Sequence, residues 1–117
     1  MNPAAHLETI RCIAVRHGFN DHAHLVEVLL RRVASDPASI WETINTNEVW
    51  GGAGSLADIS LAAYSSLPEA EVRADEIAWR SAFIALNEGM LAHGVCNPRA
   101  QSWATVFHKW NEARIGI

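Results

Sequence analysis

Four polar side chains lie on one face of the longest predicted helix, and together they are called the polar seam: Arg73, Glu76, Arg80 and Asn87. At 100° of rotation per residue, they fall between two apolar stripes of that helix. Glu76 and Arg80 have the i, i+4 spacing of a helical ion pair. Two interpretations are open. The polar seam is either a solvated edge with an ordinary ion pair, or a half-buried cluster that lines a functional pocket.

The chain contains six histidines, which raises the question of a metal site. His22 and His24 are close in sequence, but residues two apart on a helix diverge by about 160° and cannot chelate one ion. The sequence has no His-Glu-x-x-His motif and no cluster of cysteine and histidine. We therefore expect no metal and no other cofactor, and we treat the histidines, His17 included, as surface residues.

The segment Gly52-Ala53-Gly54-Ser55 offers a serine in a glycine-rich loop. It lacks the Gly-x-Ser-x-Gly pattern of a nucleophile elbow, and neither a preceding strand nor a following Gly-Lys-Ser/Thr supports a P-loop. Acidic residues are numerous, but no spacing singles out a catalytic pair. We therefore predict no catalytic residue and assign Ser55 to helix capping. Whether the Gly51–Gly54 loop binds an anion is left open.

The net charge of −4 arises in the middle of the chain, where residues 41–80 hold two arginines and seven acids. Nucleic-acid binding needs cations that neutralise phosphates, and membrane binding needs a basic amphipathic helix, so neither is expected. A basic protein partner is better matched to this charge. The candidate partner-binding residues combine the mid-chain acids with the glycine loop: Glu42, Glu48, Trp50, Gly51, Gly52, Asp58, Glu69, Glu71 and Asp75.

Residues typical of helix ends predict an all-α fold for the chain that carries these candidate site residues. Asparagine or aspartate precedes proline at Asn2-Pro3, Asp36-Pro37 and Asn97-Pro98, which puts a capping side chain before a residue suited to the first helical turn. Apolar periodicity without a strand signal predicts one domain over residues 1–117, a single compact bundle of five or six helices. The predicted helices are residues 3–17, a helix capped by Asn20, a short helix after Asp36, a helix from Ser55 to Tyr64, a long helix at about 68–93 after a Ser66 cap, and residues 98–114.

The long helix is predicted to be the centre of the bundle. Gly18 and Gly94 are the expected left-handed stops of the first helix and of this one. One stripe of the long helix carries Val72, Trp79, Phe83, Leu86 and Met90, and a second carries Ile77, Ile84 and Leu91. The reverse side carries mainly alanine, serine and glycine. A helix that is apolar or small on almost every side has neighbours packed around it. The small face would allow a close helix contact or a homodimer.

Cys12 and Cys96 are the only cysteines. In a reducing compartment, both are expected to be buried small hydrophobes instead of a disulfide. The sequence has no run of about 18 apolar residues, and its first residues lack a signal-peptide pattern. We therefore expect a cytoplasmic protein.

The segment Trp50-Gly51-Gly52-Ala53-Gly54-Ser55-Leu56-Ala57-Asp58 resembles a signature of small uncharacterised bacterial helical proteins, aromatic-Gly-Gly-x-Gly-Ser-aliphatic-x-Asp. Some of those proteins look like immunity partners of secreted toxins. The resemblance therefore favours a protein-binding module, an immunity protein that neutralises a cognate secreted bacterial toxin through an acidic surface. The alternative is a small enzyme or small-ligand-binding protein with a pocket near Trp50, Trp79 and the polar seam.

Overall fold

Helical turns account for most of the chain in the computed structural model, which describes residues 2–114 except for the side chain of Tyr64. The chain is 77% helical, and the described residues contain no strand, which confirms the all-α fold. Two 3-10 turns, Pro37–Ser39 and Leu56–Asp58, join the longer elements. None of the described helices has the length and apolarity needed to cross a membrane. The described α-helices are α1 (Ala4–Arg16), α2 (Asn20–Ser35), α3 (Ile40–Thr43), α4 (Asn47–Trp50), α5 (Leu61–Tyr64), α6 (Glu69–Ala92) and α7 (Pro98–Ala113).

Several predicted helix ends are confirmed. Gly18 and Gly94 follow α1 and α6 with φ angles of 81° and 77°, a conformation that favours glycine. The Asn97 side chain accepts hydrogen bonds from the backbone amides of Arg99 and Ala100, at 2.9 and 3.1 Å. Asn97 therefore caps α7, as the sequence predicts.

Four predicted caps are wrong, namely Asn20, Asp36, Ser55 and Ser66. Asn20 lies in the first turn of α2 and not before it, because the Phe19 carbonyl already accepts the first helical hydrogen bond. The Asp36 side chain accepts no capping hydrogen bond from the 3-10 turn that follows it. Pro68, and not Ser66, directly precedes α6. Its extended backbone separates Ser66 from the first amides of the helix.

The predicted helix that begins at Ser55 is divided into a 3-10 turn and α5. Ile59 and Ser60, between the two pieces, are extended, with ψ angles of 129° and 111°. The Ser55 hydroxyl donates to the Gly51 carbonyl, so it does not cap a following helix. The bend places residues 57–62 beside α6 and α7, where they contribute one wall of a cleft.

Helix α6 is the centre of the hydrophobic core, as predicted. All residues of its first apolar stripe are buried, and Phe83 is 0% exposed. The Phe83 ring lies 5.6, 5.3 and 6.1 Å from the rings of Trp50, Trp79 and Phe107. Tilted and edge-on contacts of this kind are the favoured geometries of aromatic pairs. They join α4, α6 and α7 into one core.

The second apolar stripe of α6 is less buried than predicted. Ile77 and Ile84 are half-buried, and Leu91 is 46% exposed. On the small face, Ala82 and Gly89 are buried instead, whereas Ala74, Ser81 and Ala92 are exposed. Small side chains leave room for close approach, so neighbouring elements pack there.

Trp41 of α3 occupies the space beside Gly89. A Cβ atom added at Gly89 would lie 2.2 Å from the Trp41 ring. The same ring stacks on His93, with centroids 4.9 Å apart and planes inclined by 20°. The Trp41 ring thus packs on this part of the small face of α6.

The two cysteines are exposed and free, so their expected burial is wrong. Cys12 lies on the outer side of α1, where its thiol is 3.5 Å from the Glu8 carboxylate. Cys96 lies in the connection before α7 and accepts a hydrogen bond from the Gln101 side chain. Apolar periodicity did not assign either residue to a core stripe.

Gly89→Ala should destabilise the protein, although alanine favours a helix interior over glycine by about 1 kcal/mol. The added methyl group would overlap the buried Trp41 ring, and overpacking of this kind costs about 1–3 kcal/mol in the free energy of unfolding. Urea denaturation measures the change. Glu88→Ala, an exposed substitution on the same helix, is the control and should change stability by less than about 0.5 kcal/mol. A Gly89→Ala protein as stable as the wild type would contradict the packing of α3 on α6.

Candidate functional site

Three residues of the polar seam are buried on α6. Glu76, Arg80 and Asn87 are 5%, 3% and 6% exposed. Arg73 is exposed and pairs with Glu69, which is also exposed. The seam is therefore a buried cluster of three residues, and the solvated edge is limited to Arg73.

Glu76 and Arg80 form the predicted i, i+4 ion pair with long hydrogen bonds. Nη2 of Arg80 donates to Oε1 of Glu76 over 3.3 Å, and Nη1 donates to Oδ1 of Asn111 over 3.4 Å. Hydrogen bonds between charged groups are usually about 2.7–2.9 Å long. The guanidinium carbon also lies 5.3 Å from the ring centre of Trp110, a cation–π contact. The buried charge of Arg80 is thus shared between α6 and α7 without a short hydrogen bond.

Three buried polar atoms around this pair have no hydrogen-bond partner within the described part of the chain: Oε2 of Glu76, Nε of Arg80 and Nε1 of Trp79. These residues occupy positions i, i+3 and i+4, so they lie on one turn of α6. An unpaired buried polar group costs about 1–3 kcal/mol, and more when it is charged. Most buried polar groups in folded proteins are paired, so a cluster of this kind marks a candidate site.

Burial raises the pKa of the Glu76 carboxyl above its ordinary value, and the Arg80 guanidinium and a backbone hydrogen bond from Leu61 oppose this rise. The cause is physical: the charged carboxylate loses water without gaining a full set of hydrogen bonds. Perturbed carboxyl groups in clefts are common at binding and catalytic sites. The pKa shift therefore agrees with the geometry in singling out Glu76.

A cleft of about 290 Å³ lies at this cluster. Its polar lining from α6 consists of Glu76, Trp79 and Arg80. Its aromatic wall comes from α7 and consists of Trp103, Phe107 and Trp110. Its remaining wall comes from the chain around the bend before α5: Ala57, Asp58, Ile59, Ser60 and Ala62. The structure thus places an ion pair of low exposure among mainly apolar walls, which is the usual composition of small-molecule sites.

Trp50 lies in the core and not on a surface, so its assignment to partner binding is wrong. It is 0% exposed, and its indole N–H donates to the Ile44 carbonyl over 2.9 Å. Its carbonyl accepts from the indole of Trp103 over 3.1 Å. Gly51 is also buried, and a Cβ atom there would lie 2.4 Å from the Asn47 carbonyl oxygen. Both residues position other elements, and Trp79 alone of the two predicted pocket tryptophans lines the cleft.

Asp75 is buried in an internal network, so it is also misplaced among the partner-binding residues. Its carboxylate accepts from Nε and Nη2 of Arg16, at 2.9 Å each, and lies 2.7 Å from Nε2 of His17. The His17 side chain is 1% exposed, which corrects its assignment to the surface. The network joins the end of α1 to α6. No local pattern could predict it, because its members lie 58 and 59 positions apart.

The other candidate partner-binding residues are exposed: Glu42, Glu48, Gly52, Asp58, Glu69 and Glu71. Asp58 also accepts a hydrogen bond from the Gly54 amide over 3.3 Å, so the loop's own carboxylate occupies an N–H that could otherwise face an anion.

Among the residues that the structure describes, no group of three or more histidine, cysteine or acidic side chains could hold a metal ion.

The aromatic wall on α7 is the part of the site that sequence reasoning missed. Trp103, Phe107 and Trp110 recur at helical spacing on one face of α7, a pattern that is typical of a face packed on the core. In the structure Phe107 is buried, whereas Trp103 and Trp110 are half-buried and line the cleft. Three large aromatic residues on one short helix were the available signal, since tryptophan is enriched where one side of a ring stays accessible.

Trp50→Ala should destabilise the protein by about 3–5 kcal/mol, because it removes a fully buried indole from the aromatic core. Glu48→Lys, two residues away and exposed, should change stability by less than about 0.5 kcal/mol. Thermal and urea denaturation of the two single variants measure the difference. Equal stability of both variants would show that the segment around Trp50 is not packed as described.

The chain matches no protein-family model, no curated protein and no solved structure.

Proposed function

We propose that this protein binds a small organic molecule in the cleft between α6, α7 and the segment before α5. The observation that supports it is the combination of a buried, loosely bonded Glu76–Arg80 pair with aromatic walls. The loose pair leaves hydrogen-bonding capacity unused at the cleft. The walls offer Trp103 and Trp110 as flat apolar surfaces.

Stability alone does not account for this pair. Replacing a buried ion pair by apolar residues of similar volume is often neutral or stabilising. The Glu76–Arg80 pair is further weakened by its 3.3 Å hydrogen bond and by the unpaired atoms beside it. A ligand that forms hydrogen bonds with the unpaired atoms would compensate their cost, which gives the polar residues of the cleft a role in binding.

The dimensions of the cleft favour a ligand of one or two fused rings. Its volume of about 290 Å³ is just below the range of about 300–1,000 Å³ that is usual for ligand sites. A second, larger groove of about 540 Å³ lies beside Trp41 and His93, and its lining includes no buried ion pair. Ligand binding is therefore assigned to the smaller cleft.

A fragment library of small planar compounds should shift the indole N–H signals of Trp79, Trp103 and Trp110 in two-dimensional ¹H–¹⁵N NMR spectra. The chain has five tryptophans, so Trp41 and Trp50 serve as internal controls. Trp41 should remain unchanged, because it lies in the other groove. Selective shifts of Trp41, or no shift with any fragment, would contradict the proposal.

The same experiment has a matched pair of variants on α7. Trp110→Ala removes one wall of the cleft and should weaken fragment binding about tenfold, equivalent to about 1.4 kcal/mol. Val106→Ala removes a half-buried side chain of the same helix that does not line this cleft, and it should leave fragment affinity unchanged. Equal affinities of the two variants would place the fragments elsewhere.

Exposed acids support a second candidate function, the binding of a basic protein such as a secreted toxin. Glu42, Glu48 and Glu71 are exposed and form no ion pair among the described residues. Unpaired surface charge favours association with a partner of opposite charge. The resemblance of residues 50–58 to small bacterial immunity-like proteins points in the same direction, although its buried members have structural roles. Glu42, Glu48 and Glu71 lie outside the cleft, whereas Ala57 and Asp58 of the 50–58 segment line it.

Charge reversal tests the second candidate. Glu42→Lys with Glu48→Lys should weaken binding to a cognate toxin by about 2 kcal/mol and abolish the rescue of growth when the neighbouring gene product is co-expressed. Glu88→Lys, an exposed acid on α6 outside the candidate set, is the matched control. A neighbouring product that is harmless and forms no complex would contradict the immunity proposal. Full protection by the double variant would show that these two acids are not the contact.

A further inference from the structure

We infer that the cleft takes an uncharged planar ring with a carbonyl next to an N–H, the edge found in lactams and nucleobases. This inference rests on the proposed binding function of the cleft. It specifies the chemical class of the ligand from the atoms that the cleft leaves unpaired, the charge of its floor and the shape of its walls.

The unpaired atoms comprise two donors and one acceptor. The donors are Nε–H of Arg80 and Nε1–H of Trp79, and the acceptor is Oε2 of Glu76. A carbonyl oxygen has two lone pairs and accepts two hydrogen bonds, and an adjacent N–H donates one. A lactam edge therefore matches the count and polarity of the unpaired groups. These atoms are shielded from water in the free protein, so binding requires a side-chain adjustment of the kind common at binding sites.

The charge of the cleft favours a neutral ligand. Glu76 and Arg80 together carry no net charge, and both are almost fully buried. A charged ligand would leave one charge uncompensated in a region of low exposure, which is strongly unfavourable. Asp58, which lines the cleft from the opposite wall, adds a carboxylate that opposes anions. Asp58 is exposed, so solvent screens its attraction for a cation, whereas the buried guanidinium of Arg80 repels a cation at the floor of the cleft.

The walls favour a flat ring. Trp103 and Phe107 are inclined by only 31° and lie 5.2 Å apart, and the Trp110 ring continues the same stripe of α7. Aromatic faces contribute most to binding when the ligand is itself planar and can stack in an offset arrangement. A volume of about 290 Å³ limits the ligand to a small ring system.

Three bicyclic probes test this class against the intact protein by isothermal titration calorimetry: 2-quinolinone, its N-methyl derivative and quinoline-2-carboxylate. We expect 2-quinolinone to bind at least tenfold more tightly than the N-methyl derivative, which cannot donate to Glu76. We expect quinoline-2-carboxylate to bind at least tenfold more weakly than 2-quinolinone. Equal binding of the first two probes would overturn the hydrogen-bond match. Tightest binding of the carboxylate would overturn the neutral class in favour of an anion.

Variants of Glu76 and Trp79 test whether probe recognition depends on the unpaired atoms of these two side chains. Glu76→Gln keeps the shape of the side chain but replaces a charged acceptor with a neutral amide, so the preference for 2-quinolinone over its N-methyl derivative should fall at least threefold. Glu71→Gln, an exposed position on the same helix, is the matched control and should keep the full preference. If circular dichroism shows that Glu76→Gln is unfolded, Trp79→Phe replaces it. That variant removes one donor, and it should weaken 2-quinolinone binding at least threefold.

Failure of this inference is distinguishable from failure of the proposed function. If other fragments shift the signals of Trp79, Trp103 and Trp110 while 2-quinolinone does not bind, the cleft is a binding site and the lactam class is wrong. If no fragment shifts these signals, the proposed function itself is wrong. An unchanged probe preference in a folded Glu76→Gln protein would overturn the role of Glu76.

Discussion

Burial of charge along α6 is the constraint that organises this molecule. Other elements pack around the long helix, and two consecutive acidic residues, Asp75 and Glu76, lie inside as a result. A buried carboxylate must find donors within the protein, because water no longer supplies them. Asp75 finds them across the helix interface in Arg16 and His17. Glu76 finds a side-chain donor in Arg80 on its own helix, over a long 3.3 Å, and a backbone N–H in Leu61. The same constraint thus produces one network with three short contacts, in which Nδ1 of His17 has no partner among the described residues, and one cluster whose side-chain hydrogen bonds are long.

The glycine loop has a positioning role that its composition alone does not reveal. Gly51 allows close approach to the preceding turn, and Ser55 donates back to its carbonyl. The Trp50 carbonyl, fixed by this arrangement, accepts the hydrogen bond from the Trp103 indole. That bond orients one wall of the cleft, while the bend at residues 59–60 supplies the opposite wall. Trp50, Gly51 and Ser55 of the aromatic-glycine signature therefore fix the position of Trp103 in the wall of the cleft.

Local signals could be predicted from the sequence, and long-range burial could not. The ends of α1 and α6 and the cap of α7 depend on the residues at those positions, so Gly18, Gly94 and Asn97 indicate them correctly. The inward face of α6 follows from periodicity, as the burial of Phe83 confirms. The sequence predicts Trp50 at a surface because it stands beside glycines, outside any periodic stripe. Its burial depends on Phe83, more than thirty residues away.

Asp75 and Glu76 differ in the hydrogen bonds that their buried carboxylates form. The Asp75 network makes three short contacts between two helices, so it specifies how α1 docks on α6. The Glu76–Arg80 hydrogen bond lies within one helix, and Arg80 reaches α7 only through a 3.4 Å hydrogen bond to Asn111 and a cation–π contact with Trp110. Replacing such a pair by apolar residues of similar volume is often neutral or stabilising. We therefore propose that the polarity of the cleft floor serves a ligand with complementary hydrogen-bonding groups, which agrees with the neighbouring aromatic walls.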